Sequence, residues 1–260
     1  MTAGLFNATL SEELLNQVSE AVASASISDI IFDLFLYALM VGLALQIFRE
    51  TSKIYSFMEY EGLRYFKNTF FFYGLANFFL LVLDLVFLLA KSSTRASLYM
   101  LAISMIPLFI LAGICFWFAK VNLLSSISWK MVEGTLGKRF YKFLYFIFLM
   151  FLTMMDMLVY ILISIFLGEY YAFGYKAFIF VFILLLIRSN MRSCGETKTI
   201  THPYYLGLIL LFTLSFLGNI SPLLEGKSAE LISSAFDLLT LIAYVIILKG
   251  IRKWSRILLT

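Results

Sequence analysis

The chain is poor in the residues on which most metal and haem sites depend. Its 260 residues include one histidine, two cysteines and three prolines. Haem held by two histidines and histidine-rich zinc sites are therefore excluded by count. We expect both thiols to be free, and we interpret the methionines near residue 156 as adaptable core packing rather than as copper(I) ligands. The sequence thus predicts no metal site and no cofactor.

Motifs that carry catalysis are also missing. The sequence contains no glycine-rich phosphate loop, no nucleophilic serine elbow and no paired acidic motif of the kind that holds magnesium. Asp84 and Asp156 lack the glycine neighbours expected around an intramembrane aspartyl protease pair. We therefore expect that the protein is not an enzyme.

Charge is scarce and apolar residues are abundant. Charged residues make up 14% of the chain and hydrophobic residues 62%, whereas soluble domains average about 25% charged. A membrane span needs about 20 predominantly apolar residues. The chain supplies seven such stretches, so the predicted fold is all-α and polytopic: residues 28–48, 69–90, 98–119, 143–167, 172–188, 204–220 and 230–248. The fifth and sixth stretches are short, which leaves six or eight spans as alternatives.

The positive charges predict the orientation. Sixteen of the 20 Lys and Arg residues fall at or beyond span ends on one side of the membrane. By the positive-inside rule this side is cytosolic, so the N-terminus is outside and the C-terminus inside. We expect a multi-pass protein of the cell membrane whose cationic inner face contacts the lipid bilayer through anionic lipids, and also a cytosolic or membrane protein partner. A nucleic-acid partner is less favoured, because membrane topology alone requires positively charged inner segments.

Three regions follow from this topology. Residues 1–27 are expected to form an amphipathic extracytoplasmic segment that lies on the bilayer or covers the bundle. Residues 28–248 form the seven-helix domain, and residues 249–260 form a basic cytoplasmic tail. The inner connection 120–142, with Trp129 among apolar residues, predicts an interfacial helix or a docking surface for a partner.

Four aspartates lie inside the predicted spans, where the free-energy cost of burying a carboxyl group is high enough that we expect each to have a role. They are Asp33, Asp84, Asp156 and Asp237. We assign every Lys and Arg to a position at or beyond a helix end, with Lys176 counted in the outer connection before the fifth span, so we expect no basic partner at their depth. Four unpaired carboxylates need protons, hydrogen bonds, water or a bound cation.

The sharper hypothesis is a shared, outward-facing polar pocket. Its lining would be Asp84, Asp156 and Asp237, with Asp33, Tyr160 and Asn77 as supporting ligand- or cation-binding residues. Helical spacing places Asn77 on the stripe of Asp84, and Tyr160 on that of Asp156. The alternative is that each aspartate bonds a neighbouring helix separately and fixes helix order.

The function expected from these features is that of a receptor or sensor. Occupancy of the pocket would shift the inner loops toward a partner. A proton- or sodium-coupled transporter or channel component is the alternative, and a structural subunit of a membrane complex is a further one. Rhodopsins and heptahelical receptors share the layout, but the residues that carry either resemblance are missing, so no family is inferred.

Overall fold

The computed structural model describes residues 26–91, 95–132, 139–193, 203–217 and 227–259. All regular secondary structure in these ranges is α-helical. Seven helices are described, and each contains or largely overlaps one predicted span: α1 Ile27–Met58, α2 Glu61–Lys91, α3 Arg95–Val132, α4 Arg139–Leu167, α5 Glu169–Ser193, α6 Pro203–Leu217 and α7 Lys227–Leu259.

The apolar helices make this chain a multi-pass membrane protein. Five helices in the described ranges, α1 to α5, are long and apolar enough to cross a bilayer, and α6 contributes a shorter apolar stretch, Tyr205–Leu217. The count of seven spans and the orientation remain predictions. The predicted amphipathic segment 1–27 lies outside the described residues, apart from its last two.

Two tight connections explain why neighbouring helices pair. Between α1 and α2, Glu59 adopts a left-handed conformation with φ 45°, and its N–H donates to the Tyr55 carbonyl at 2.8 Å. Between α4 and α5 a single residue, Gly168, has φ +95°, and its N–H lies 3.1 Å from the carbonyls of Ile163 and Ser164. Only glycine reaches this conformation without steric cost, so the chain reverses there with no loop.

The helices form a closed ring in chain order. Each helix packs against the next, α7 returns to pack against α1, and α3 also touches α5. Ile47, Phe70, Leu208 and Tyr244 belong to one buried hydrophobic cluster and come from α1, α2, α6 and α7. Close approach of α1 and α2 is possible because a Cβ placed on Gly74 would lie only 3.4 Å from Ala44.

The outer surface of α4 is apolar. Phe148 and Phe151 are each 58% exposed, and Ile165 and Phe166 are 71% and 78% exposed. An apolar surface of this kind is unfavourable in water but matches hydrocarbon, where the helix satisfies its own backbone groups. We therefore place this face of α4 against lipid.

The inner connection predicted at 120–142 is wrong in its first half. Helix α3 continues unbroken to Val132, and Trp129 is 2% exposed while Leu123 and Ile127 are 1% exposed. These apolar side chains pack inside the bundle and form no exposed apolar surface, while their depth in the membrane stays a prediction. The segment predicted as a cytoplasmic tail is helical as part of α7, and Arg252 donates to Gln46 of α1 at 3.0 Å; its cytosolic position stays a prediction.

Candidate functional site

Asp156 lies at the centre of an ion network that joins three helices. Its Oδ2 is 2.9 Å from the Lys120 Nζ of α3 and 2.8 Å from the Lys176 Nζ of α5. The Tyr175 hydroxyl donates to the other carboxylate oxygen at 3.1 Å. Because Asp156 belongs to α4, this one carboxylate connects α3, α4 and α5.

The prediction that no basic side chain reaches the depth of the aspartates is therefore wrong. Lys120 was assigned to a connection that is in fact helical, since α3 extends a further twelve residues beyond it. Lys176 was counted with the outer connection, although it lies inside α5. Long lysine stems can place their ammonium groups well away from the Cα atom, so both lysines reach a carboxylate inside the bundle.

Aromatic side chains complete the surroundings of these lysines. The Lys176 Nζ lies 5.0 Å from the centre of the Tyr160 ring and 5.6 Å from that of Tyr175, distances at which a ring face stabilises a cation. One turn from Lys120, the Trp117 indole N–H donates to the Thr153 hydroxyl at 2.9 Å. This bond is a second polar connection between α3 and α4.

The network carries more positive than negative charge. Two ammonium groups share one carboxylate, and the exposed fractions of the side chains are 12% for Lys176, 14% for Asp156 and 33% for Lys120. Charges this shielded from solvent persist inside a membrane protein only when they are paired. Lys176 is the more enclosed partner, while Lys120 reaches further toward open space.

That open space is a cavity of about 420 Å³ at the centre of the ring. Residues of α1, α2, α3, α4, α6 and α7 line it, and Lys120 and Asp237 are the charged residues among them. Tyrosine and tryptophan side chains supply much of the remaining wall. The full lining is Tyr37, Met40, Tyr73, Asn77, Leu80, Gly113, Phe116, Trp117, Lys120, Thr153, Met157, Leu211, Leu214, Ser215, Asp237, Thr240 and Tyr244.

A smaller cavity of about 90 Å³ lies beside it and contains Asp156 and Lys176. Lys120 and Ser215 line both cavities. The Lys120 side chain is therefore part of the ion network and part of the central cavity wall at the same time.

The structure separates the residues for which a shared pocket was predicted. Asp237 and Asn77 line the central cavity, with Asn77 only 4% exposed and its amide donating to the Tyr73 carbonyl at 2.7 Å. Asp156 and Tyr160 belong to the ion network. Asp33 and Asp84 line neither of these two cavities.

Asp33, Asp84 and Asp237 nevertheless lie near one another. All three carboxylates interact electrostatically with the Tyr37 hydroxyl, and Asp33 also interacts with the other two. Among the Lys, Arg and His side chains that the structure describes, none lies within 4.0 Å of any of them. One oxygen of Asp84 is buried without a hydrogen-bond partner among the described residues. No group of three potential metal ligands is found within those ranges.

Sequence reasoning missed Lys120, Lys176 and Trp117 as site residues. Lys176 had a usable signal, because it lies four residues inside the predicted span 172–188. Lys120 had a weaker one: Phe116, Trp117 and Lys120 recur at helical spacing across the predicted end of the third span. Which helix faces which could not be read from the sequence, so the pairing with Asp156 could not be derived.

The comparisons with known proteins identify no relative. The chain matches no protein-family model, no curated protein and no solved structure. Any function must therefore be argued from the cavity and the ion network themselves.

Proposed function

We propose that this protein is a receptor or sensor of the cell membrane that binds a small polar ligand in the central cavity. The observation that supports this most is the composition of the cavity wall, to which six helices contribute. A cavity of about 420 Å³ is of the size that small-molecule sites have. A ligand bound there touches most of the bundle, so its presence biases how the helices pack.

The ion network provides a route from the cavity to helix packing. Lys120 lines the cavity and forms an ion pair with Asp156 of α4, and Asp156 forms a second ion pair with Lys176 of α5. A ligand that draws the Lys120 ammonium toward the cavity weakens its bond to Asp156. The bundle then has two arrangements, with Lys120 on Asp156 or on the ligand, and a ligand shifts the balance by its difference in affinity for them.

The signal would leave through the cationic face. We propose that the Lys- and Arg-rich segments face the cytosol, lie against anionic lipids and contact a protein partner. The helical continuation of α7 to Leu259 supports this, because Arg252 bonds Gln46 of α1 and so connects the basic end of α7 to the bundle. We propose no catalytic activity and no cofactor.

Ion-coupled transport is the second candidate, and the unpaired acids favour it. Asp33, Asp84 and Asp237 lie near Tyr37, and no basic side chain that the structure describes lies within 4.0 Å of them. Intramembrane carboxylates in such a setting are typical of proton and sodium pathways. This reading predicts transport of an ion, whereas the sensor reading predicts binding without transport.

One pair of measurements separates these functions. The full chain, purified in detergent, is screened by thermal stability against monovalent cations, small amines, carboxylic acids and amino acids. A compound at free concentration c that binds the folded state stabilises it by RT ln(1 + c/Kd), so the melting temperature rises with the logarithm of c once c exceeds Kd. Compounds that do so are then tested for flux in sealed vesicles.

The sensor proposal expects at least one stabilising compound and no flux. Flux that Asp237→Asn abolishes would instead establish the transporter. Absence of any stabilising compound across the panel contradicts both, and leaves a structural subunit of a membrane complex as the remaining hypothesis.

A further inference from the structure

The central cavity presents one positive and one negative group to whatever occupies it. Lys120 and Asp237 are the charged residues of its lining, and they come from α3 and α7, which are not adjacent in the ring. They are more than 4.0 Å apart, since no ion pair joins them. The two charges therefore do not neutralise each other, and different groups of one ligand would meet them.

The Asp237 side suits an ammonium group. Its carboxylate has no basic partner within 4.0 Å among the described side chains. The rings of Tyr37, Tyr73 and Tyr244 line the same cavity. A carboxylate together with aromatic side chains is a setting in which organic ammonium groups bind, through ion pairing and cation–π contact.

The Lys120 side suits a carboxylate. Lysine has three N–H donors, and Lys120 shares the single Asp156 carboxylate with Lys176. The network therefore has an excess of one positive charge, and Lys120 is its member on the cavity wall. An anionic group in the cavity neutralises that excess.

We propose that the ligand is a small zwitterion of the amino acid class, with its ammonium group at Asp237 and its carboxylate at Lys120. This rests on the proposed function and names the ligand class of that site. The ligand carboxylate competes with Asp156 for Lys120, so binding itself loosens the connection between α3 and α4. The apolar part of the ligand lies against Leu211, Leu214 and Phe116.

The proposal makes a charge-specific prediction. A ligand with one charge leaves either Asp237 or the excess charge at Lys120 unmatched on the cavity wall, whereas a zwitterion matches both. Three compounds with the same phenyl group and different ends test this: L-phenylalanine, phenethylamine and 3-phenylpropionate. Their affinities for the detergent-purified full chain are measured by isothermal titration calorimetry.

We expect L-phenylalanine to bind at least about tenfold more tightly than either singly charged compound. Asp237→Asn should weaken L-phenylalanine and phenethylamine about tenfold and leave 3-phenylpropionate unchanged. Lys120→Gln should weaken L-phenylalanine and 3-phenylpropionate and spare phenethylamine. Matched controls outside the cavity are Asp29→Asn and Lys249→Gln, both at exposed positions.

Lys120→Arg is the control that separates loss of charge from loss of folding, because it changes the side chain but keeps the positive charge that Lys120→Gln removes. It should bind L-phenylalanine more tightly than Lys120→Gln does. Equal binding of L-phenylalanine and phenethylamine, or binding by neither while another class in the stability screen binds, overturns the zwitterion and leaves the sensor proposal standing. Failure of every compound in that screen overturns both.

Discussion

Asp156 and Asp237 are the same residue type at similar positions in apolar helices, yet their surroundings differ. Asp156 has two ammonium groups within 2.9 Å and a tyrosine hydroxyl at 3.1 Å. Asp237 has no basic side chain within 4.0 Å among the described residues, and it interacts with the charge of Asp33. The first carboxylate is a structural partner of its neighbours, and the second has no ion-pair partner among the side chains that the structure describes.

The difference shows that the position of an aspartate along an apolar helix does not determine its role. A carboxylate that joins three helices stabilises the bundle, because removing it leaves two lysines with unmatched charge. A carboxylate on a cavity wall without a partner contributes little to folding and much to recognition. The two sites should therefore respond in opposite ways to the same substitution.

Asp156→Asn is expected to have the largest effect. It leaves the ammonium groups of Lys120 and Lys176 without a counter-charge, at exposed fractions of 33% and 12%. Loss of one partner from a buried ion pair costs about 3 kcal/mol or more, and we expect about 3 because Lys120 is partly exposed. The free energy of unfolding in a dodecyl sulfate titration measures this. A loss of unfolding free energy no larger than that of Asp237→Asn would contradict the structural role of Asp156.

Lys176→Met should restore part of the lost stability in the Asp156→Asn background. With the most enclosed ammonium group removed, one unmatched charge remains instead of two, so we expect about 2 kcal/mol to be regained. Alone, the same substitution should destabilise, because it removes a partner from Asp156. A double-mutant cycle on the unfolding free energy gives the coupling. Additive effects would show that the contacts of 2.8 and 2.9 Å carry no energy.

Thr153→Val tests whether the hydrogen bond between Trp117 and Thr153 also joins α3 to α4. Its hydroxyl accepts the Trp117 N–H at 2.9 Å, and the side chain is 2% exposed. An indole N–H left without an acceptor costs about 1 kcal/mol. The matched control is Thr240→Val, whose hydroxyl donates only within α7, to the Phe236 carbonyl. Equal losses of melting temperature in the two variants would contradict an interhelical role for Thr153.

Asp237→Asn should have the smallest effect on the ligand-free protein. The substitution removes a carboxylate that repels Asp33 and has no ion-pair partner among the described side chains, so we expect a stabilisation of no more than about 0.5 kcal/mol. The melting temperature without ligand measures this, with Asp29→Asn as the exposed control. A loss of several degrees would show that Asp237 has a structural partner and that the contrast with Asp156 does not hold.

The sequence predicts the helical class and the positions of the helices well, because both follow from composition and length. Each of the four aspartates lies within a helix, as predicted on the same grounds. The ion network could not be predicted, since it depends on helix order around the ring and on where α3 ends. Leu123, Ile127 and Trp129 have the composition of an interfacial helix, and only packing against other helices shows them to be buried.

The most direct test of the account is the affinity of L-phenylalanine for Asp156→Asn compared with the wild-type chain. If the ligand carboxylate competes with Asp156 for Lys120, removing that competitor should tighten binding, by about tenfold if one charged contact is released. Calorimetry on both proteins, with circular dichroism to confirm that the variant is folded, measures the ratio. Equal or weaker binding by Asp156→Asn would contradict the link between the cavity and the ion network, and no binding by either protein would contradict the zwitterion as the ligand.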